Sequence, residues 1–305
     1  MSQIESGFLD PAGRTPAVYV TADGEGHLFD CGRAEYTGAF VNRLRNLYVS
    51  HMHMDHIPDF DAILSLKLHS PNKRLAVYGP AGIAASVRAK LGAYTWNLAK
   101  PGDALFDVFE IDGERMTPWA FSVPDNLPGT QGAAAKIADT IWESERYRVR
   151  YVALNHGIAS LGYCFEEKDT FSVSKEALAA SGQAPGAWLQ EIKAKALRGE
   201  PVPPGLLIPK KGKKIAYLTD FVMEAGTIEK IAAVVRGADT LYCESNYADA
   251  EIELAKKNYH LTAGQAADIA LACEAGRLVL FHFSARYEDR EPLFRDARAR
   301  FSRVE

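Results

Sequence analysis

Three histidines and one aspartate lie within six consecutive residues early in the chain. They are His51, His53, Asp55 and His56, in the run HMHMDH. Neutral imidazole nitrogens bind zinc readily, and a carboxylate oxygen is a natural partner ligand for the same ion. A lone histidine is more often a solvated or structural side chain, but four potential ligands at this spacing favour a metal site. Such a site points to hydrolysis, because a bound divalent ion lowers the pKa of water.

Three further polar residues each stand alone after an apolar, β-rich run. They are His156, Asp220 and His282. A side chain at the exit of a strand can reach a site at the sheet edge without disturbing the core. Each of them could instead be a polar group that is satisfied at the edge of the core.

Nine short β-rich runs would supply the strands that position these residues. They cover residues 17–20, 27–29, 47–49, 75–78, 147–154, 161–165, 215–218, 240–243 and 278–281. The clearest helical pattern spans 262–274, where Thr262 and Gln265 predict a capping box, and a second helical pattern spans 187–198. Strands mixed with helices over this length predict a layered α/β fold.

The domain organisation is predicted from the spacing of prolines and glycines. These residues are frequent between 101 and 146, so we expect long loops or an irregular insertion there. A short helical segment at about 185–199 is a candidate for substrate contact. No convincing linker interrupts the chain, and we interpret residues 1–305 as a single domain.

Composition and charge limit the partners. The net charge of −4 argues against a broad basic face for nucleic acid. Local basic clusters could still meet a polyanion; they are Lys67, Lys73 and Arg74; Lys193, Lys195 and Arg198; and Lys210, Lys211, Lys213 and Lys214. Four scattered cysteines without a CxxC pair predict buried thiols. Residues 1–13 lack a signal-peptide pattern, and no run approaches the ~18 apolar residues of a membrane span, so we expect a cytoplasmic protein without a membrane partner.

The metal-ligand pattern resembles that of the metallo-β-lactamase superfamily, which implies a four-layer αββα sandwich with a metal site at the sheet edge. Three further segments are similar to the ribonuclease Z branch, endonucleases that remove 3′ trailers from precursor tRNA. They are residues 156–163 (HGIASLGY), 260–267 (HLTAGQAA) and 282–287 (HFSARY). Glu244 occupies the position of the acidic residue that this branch carries before its HxTA segment. The resemblance therefore covers most of the chain.

The resemblance implies a pair of Zn²⁺ ions, with Mn²⁺ or Fe²⁺ as alternatives. By this resemblance one ion would bind His51, His53 and His156, the other would bind Asp55, His56 and His282, and Asp220 would bridge them. A hydroxide between the two ions would attack phosphorus in line.

The same resemblance implies roles for four residues around the metals. Asp55 would accept or orient the proton of the nucleophile, His260 would protonate the departing 3′ oxygen, and Glu244 would orient His260. Arg286 could contact a phosphate oxygen, or it could equally form an ordinary surface salt bridge. Precursor tRNA is the implied substrate and a homodimer the implied assembly.

The chain also departs from the ribonuclease Z pattern. Asp30-Cys31-Gly32 continues as RAEY instead of an EGTQRQ-like run, residues 57–61 are unusually acidic, and only a modest helix is predicted where the tRNA-gripping arm should lie. These departures leave open a dinuclear hydrolase for a small phosphodiester, a lactone or another ester. An iron-dependent oxidoreductase and a metal-free paralogue are further alternatives, although His53 disfavours the dinuclear iron branch and all seven ligands are present.

Overall fold

The computed structural model describes residues 4–10 and 15–305. The predicted domain, 1–305, and the N-terminal segment 1–13 therefore extend beyond the described residues. Within the described ranges, no helix combines the length and the apolar character that crossing a membrane requires.

The larger of two packed sheets contains nine of the described strands. They are β1 (Glu5–Phe8), β2 (Val18–Ala22), β3 (Glu25–Phe29), β4 (Leu44–Tyr48), β5 (Arg74–Pro80), β6 (Ala104–Asp112), β7 (Arg115–Val123), β8 (Asn126–Gln131) and β9 (Ala135–Lys136). Strands β1 to β8 lie side by side in chain order, and β9 pairs with β7. The pairs β3–β4, β4–β5 and β5–β6 are parallel, so their carboxyl ends meet at one edge of the sheet.

The remaining strands form a second sheet and a separate two-stranded ribbon. They are β10 (Thr140–Glu143), β11 (Tyr147–Asn155), β12 (Ala159–Glu167), β13 (Thr170–Val173), β14 (Leu207–Lys210), β15 (Lys214–Leu218), β16 (Thr240–Glu244) and β17 (Leu278–Phe281). The second sheet has the order β10-β11-β12-β15-β16-β17, and β13 pairs with β14. The last three strands of this sheet are parallel.

Nine α-helices lie within the described residues. They are α1 (Gly38–Arg43), α2 (Phe60–His69), α3 (Ile83–Gly92), α4 (Lys175–Ala180), α5 (Trp188–Leu197), α6 (Thr227–Val235), α7 (Ile252–Lys257), α8 (Ala263–Ala272) and α9 (Glu291–Arg298). The predicted capping box is confirmed at the start of α8, where Gln265 N donates to Thr262 Oγ1 and Thr262 N donates to Gln265 Oε1. The second predicted helix is also confirmed, as α5.

Three clusters of buried side chains define the layers. Apolar residues of α1, α2 and α3 pack on the first sheet, and those of α6, α8 and α9 pack on the second. Between the sheets lies an aromatic cluster to which Phe29 and Tyr48 contribute from one sheet and Tyr163, Tyr217 and Phe281 from the other. Helix, sheet, sheet and helix therefore follow one another, and the predicted αββα sandwich is confirmed. Each of the nine predicted β-rich runs overlaps a strand.

The prediction of an irregular insertion at 101–146 is wrong, because this segment forms β6 to β10. Its apolar residues alternate in burial along β6, which is typical of a strand. Pro118 lies in β7 between the residues that pair with β8 and those that pair with β9. Its carbonyl accepts from Gly132 N on that same side, so the missing N–H interrupts no pairing with β6.

An inserted lobe, residues 170–210, lies between the neighbouring strands β12 and β15. It consists of β13, α4, α5 and β14, and is more elaborate than the single helix predicted there. Lys193 on α5 and Lys210 on β14 form no ion pair within the described residues. The lobe thus carries one basic cluster and the first lysine of another, but Lys195 and Arg198 pair with Glu191 and Glu200, and Lys214 beyond the lobe pairs with Glu166 at 3.2 Å.

The basic cluster that includes Lys67 is not a cationic surface. Lys67 is fully buried, and its Nζ donates to the carbonyl oxygens of Leu44, Asn72 and Arg74 at 2.8, 3.2 and 3.2 Å. The Arg74 guanidinium pairs with Asp107. Lys67 therefore links α2 to β4 and β5, and the cluster offers few free cations to a polyanion.

Replacing Lys67 with methionine should reduce the free energy of unfolding by about 1–3 kcal/mol, because the Leu44, Asn72 and Arg74 carbonyls would each lose a charged donor. Denaturant unfolding measures the change. The exposed Lys136→Met variant, which loses only a surface pair with Glu114, serves as the control and should unfold almost like the parent. An unchanged midpoint for Lys67→Met would contradict the structural role.

Candidate metal centre and catalytic residues

The candidate site residues lie at one edge of the sandwich, where strands of both sheets end. Strand β4 ends at Tyr48, so the HxHxDH run occupies the following loop and not the strand itself. In the second sheet, His156 follows β11, Asp220 follows β15 and His282 follows β17. Because β15, β16 and β17 are parallel, the residues after them meet at this same edge.

Three of the strand exits turn through left-handed backbone conformation. Asp30 after β3, Asp220 and His282 have φ of 54°, 48° and 56°. Aspartate and histidine adopt this region more readily than bulky or β-branched residues do. Each of these side chains contacts a residue from the opposite sheet: Asp30 contacts Tyr217, Asp220 contacts His56 and His282 contacts Asp55. The turns thus join the two sheets at the site.

A first group of potential metal ligands contains His51, His53, His156 and Asp220, whose ligand atoms all lie within 4.8 Å of one another. The Nε2 atoms of His51 and His156 are 3.6 and 3.7 Å from Asp220 Oδ2. These separations are too long for hydrogen bonds. The four side chains could hold one ion.

The unsatisfied Nε2 of His51 indicates that this group fits a metal. This atom is buried and has no hydrogen-bond partner within the described residues. Burial lowers the pKa of His51 to about 2, so its imidazole is neutral. A buried polar atom without a partner is costly, and a neutral imidazole nitrogen is a preferred zinc ligand.

A second group contains Asp55, His56 and His282. His282 Nε2 lies 3.1 Å from Asp55 Oδ2, and His56 Nε2 lies 3.6 Å from the same oxygen. Burial acts to lower the pKa of His56, but the charges of Asp220 and Asp30 outweigh it and raise this pKa to about 10. The carboxylates therefore require positive charge beside them, which a metal ion can supply.

Asp220 lies between the two groups and is 2% exposed. Its Oδ2 lies 3.1 Å from His56 Nε2, and its Oδ1 lies 3.0 Å from His282 Nδ1. Thr219 Oγ1 also donates to Oδ1, at 2.7 Å. Since Asp220 also belongs to the first group, this one carboxylate contacts the ligands of both.

A histidine–carboxylate pair adjoins the metal-ligand groups. His260 Nδ1 lies 2.9 Å from Oε2 of the fully buried Glu244, whose Oε1 accepts from Phe221 N. The His260 ring centroid is 4.9 Å from that of His156. Burial acts to lower the pKa of His260, yet the adjacent Glu244 charge raises it overall. Because Nδ1 is engaged, Nε2 is the nitrogen left to face a substrate. Asp220, Glu244, His260 and His282 also form a third potential ligand group.

Arg286 lies at the margin of the site and not among the potential ligands. Its Nη1 donates to Glu251 Oε1 at 2.6 Å, and its guanidinium lies over the Tyr247 ring. The Tyr247 ring centroid is in turn 6.1 Å from that of His260. In the structure Arg286 thus forms a surface salt bridge with Glu251, and contact between Arg286 and a phosphate remains a prediction.

Asp30 was not singled out from sequence as a site residue. It is fully buried, and its Oδ2 accepts from Ser50 Oγ and Tyr217 Oη and lies 2.8 Å from His56 Nδ1. A signal was present, because Asp30 is a single polar residue after an apolar run, like Asp220 and His282. The contact of His156 Nδ1 with the Tyr259 carbonyl oxygen, at 2.7 Å, has no comparable signal.

Replacing Asp30 with asparagine should weaken metal binding about 10- to 100-fold at the group that contains His56, since residues that orient a ligand imidazole have effects of this size. Competition with a zinc chelator measures the affinity. Asp59→Asn is the control, because Asp59 is near His56 in the sequence, but within the described residues its side chain accepts a hydrogen bond only from Ala34 N. Equal zinc affinity in Asp30→Asn and the parent would exclude an orienting role.

Comparison with known proteins relates both sequence and fold to one superfamily. The profile of the β-lactamase superfamily domain matches residues 164–283. Ribonuclease Z of Deinococcus radiodurans is 31% identical, and the alignment covers 94% of this chain and 92% of that protein. Ribonuclease Z of Bacillus subtilis is 28% identical over 86% of this chain and 78% of that protein.

Solved structures with the same fold include two that align along most of their length. The metallo-β-lactamase fold protein YhfI from Bacillus subtilis gives a TM-score of 0.60 at 13% identity, covering 99% of this chain and 95% of that one. The short form of human tRNase Z gives 0.56 at 20% identity, covering 94% and 95%. At these identities the likeness establishes the fold.

Proposed function

The chain belongs to the ribonuclease Z family, and we propose that it is a metal-dependent endoribonuclease that hydrolyses a phosphodiester bond at the 3′ end of precursor tRNA. The observation that carries this proposal is the His260–Glu244 pair beside two ligand groups that share Asp220. The ligand groups alone would suit many ester hydrolyses. An acid beside them suits a poor leaving group such as a ribose 3′ oxygen, which needs a proton to depart.

The ligand sets suit two divalent ions. We propose that one Zn²⁺ ion binds His51, His53 and His156, that a second binds Asp55, His56 and His282, and that Asp220 binds both. When bound, two such ions lower the pKa of a water molecule and neutralise phosphoryl oxygens. The unsatisfied Nε2 of His51 supports this assignment. Nitrogen and carboxylate ligands also suit Mn²⁺ or Fe²⁺.

The side chains of the site would accept and donate the protons of the reaction. Asp55, whose side chain is 58% exposed, would accept or orient the proton of the attacking water. His260 would donate its proton from Nε2 to the departing 3′ oxygen, while Glu244 holds Nδ1 and stabilises the imidazolium. The products would be a 3′ hydroxyl on the tRNA and a 5′ phosphate on the trailer.

The lobe of residues 170–210 is the surface that we propose for tRNA contact, because its helices have no buried residues and it carries Lys193 and Lys210. Binding through these lysines should weaken steeply with salt. We further propose one domain over residues 1–305, a homodimeric assembly and a cytoplasmic location. Four buried cysteines without disulfides are compatible with a reducing compartment.

A small phosphodiester, a lactone or another ester is the second candidate substrate. It is favoured by the net charge of −4 and by the loss of Lys67 and Arg74 as free cations. A small substrate would need the metal centre but not the lobe.

A substrate panel tests the proposal with the purified zinc-loaded protein. Precursor tRNA with a 3′ trailer should be cut at one position, and chelation should abolish the cut until Zn²⁺ is restored. Bis(4-nitrophenyl) phosphate and a lactone are the comparisons, and tRNA without a trailer is the control. Turnover of only the small phosphodiester or the lactone would reject tRNA as the substrate and favour the second candidate.

A further inference from the structure

A cavity of about 230 Å³ opens beside His260, and the reaction described above uses none of its other walls. Besides His260, its lining consists of Val222, Met223, Ile252, Glu253, Lys256 and Gln265. Val222 and Met223 follow the candidate ligand Asp220, whereas Ile252, Glu253 and Lys256 belong to α7. The cavity therefore lies where the exit of β15 meets α7, directly against the candidate acid.

The walls of this cavity suit an uncharged, partly apolar group. Val222, Met223 and Ile252 give it apolar surface, and Ile252 is 47% exposed, so it is accessible to an occupant. Glu253 and Lys256 carry opposite charges on the exposed side of α7, so the lining has little net charge. A volume below the ~300–1,000 Å³ of drug-sized sites limits the occupant to one small group.

We propose that this cavity binds the nucleoside whose 3′ oxygen departs, the one immediately 5′ to the cleaved bond. The inference rests on the proposed function, in which His260 protonates that oxygen. Since Glu244 engages Nδ1, the oxygen must approach Nε2, and its ribose must lie next to the His260 ring. The cavity that His260 lines then receives the base, which packs against Met223 and Ile252.

Lys256 extends the same assignment to the backbone of the substrate. It forms no ion pair within the described residues, and it lies at the cavity on the exposed face of α7. The phosphate on the 5′ side of the bound nucleoside is the anion nearest to such a position. Met223 and Ile252 would thus read the base, and Lys256 would contact the backbone independently of the base.

The experiment uses two precursor tRNAs, one intact and one in which the nucleotide 5′ to the cleavage site lacks its base. The abasic substrate keeps the reacting phosphate and the leaving oxygen. With the parent enzyme it should have a kcat/KM about 10- to 100-fold lower than the intact substrate, which is the range of discrimination by an apolar pocket. This arm requires no variant and does not depend on whether a variant folds.

The Met223→Ala/Ile252→Ala double variant should lose a similar factor on the intact substrate and little more on the abasic one. Leu271→Ala is the matched control, because Leu271 is 59% exposed on α8 and does not line the cavity. Lys256→Ala should slow both substrates equally and reduce the slope of log(kcat/KM) against log salt by about 1.

Two results would overturn the assignment. Equal cleavage of intact and abasic substrates by the parent would exclude a base in the cavity. Independent effects would exclude it too, that is, a double variant that lowers kcat/KM by the same factor on the abasic substrate as on the intact one. In both cases the proposed tRNA cleavage would stand. If the parent enzyme cut neither substrate, the proposed function would fail and the assignment of the cavity would fail with it.

Discussion

Replacing His260 with alanine is expected to lower kcat on precursor tRNA by about 10²- to 10⁴-fold, the usual contribution of a positioned general acid. The protein should still retain two zinc ions, because the proposed ligand sets do not include His260. Steady-state kinetics and elemental analysis of the same preparation measure both quantities. Loss of zinc in proportion to activity would instead make His260 a ligand, which its membership of the third ligand group allows.

A substrate with a good leaving group provides the control for this variant. The nitrophenolate of bis(4-nitrophenyl) phosphate departs without a proton, so His260→Ala should slow its hydrolysis far less than that of tRNA. Equal losses on both substrates would contradict the acid role and indicate damage to the centre as a whole.

The Glu244→Gln variant tests whether Glu244 keeps His260 protonated. The Glu244 carboxylate stabilises the protonated imidazole and raises the pKa of His260. Removing this charge lowers that pKa, so the required protonated form is lost at a lower pH. The alkaline limb of the kcat/KM profile should therefore move to lower pH, and an unmoved limb would exclude Glu244 as the partner of the titrating acid.

Replacing Asp220 with alanine is expected to deplete zinc at both positions and to reduce activity by about 10³-fold or more, since one carboxylate would serve two ions. Asp220 is buried, and its two oxygens contact histidines on both sides of the centre. Zinc content after gel filtration and kcat on the substrate panel are the measurements.

The Asp220→Asn variant separates the effect of the Asp220 charge on zinc binding from the effect of its size. Asparagine keeps the size of the side chain but lacks the negative charge, so it should also bind less zinc, while near-ultraviolet circular dichroism remains native. Full occupancy of two zinc ions in either variant would show that Asp220 does not serve both sites.

Local sequence pattern predicted the elements whose apolar residues are continuous or evenly alternating. The runs that become β11, β12 and β15 to β17 are of this kind, and the capping box at Thr262 depends only on residues three apart. The prediction for segment 101–146 is wrong because prolines and glycines, although typical of loops, lie within paired strands there. Pro118 is tolerated in β7 because its nitrogen, which lacks a hydrogen, faces the gap between β8 and β9. The position of this gap depends on how the strands pair and not on the local sequence.

Ligand type and spacing after apolar strands are local properties of the residues, so the sequence alone predicts a metal-dependent hydrolase. How those residues combine depends on the tertiary structure. It brings Asp30 to His56, the Tyr259 carbonyl to His156, and Glu244 to His260, and it withdraws Lys67 from the surface. These partners are distant in the sequence and come from different strands, helices and loops, so their contacts form only when each sheet and the helices beside it have folded.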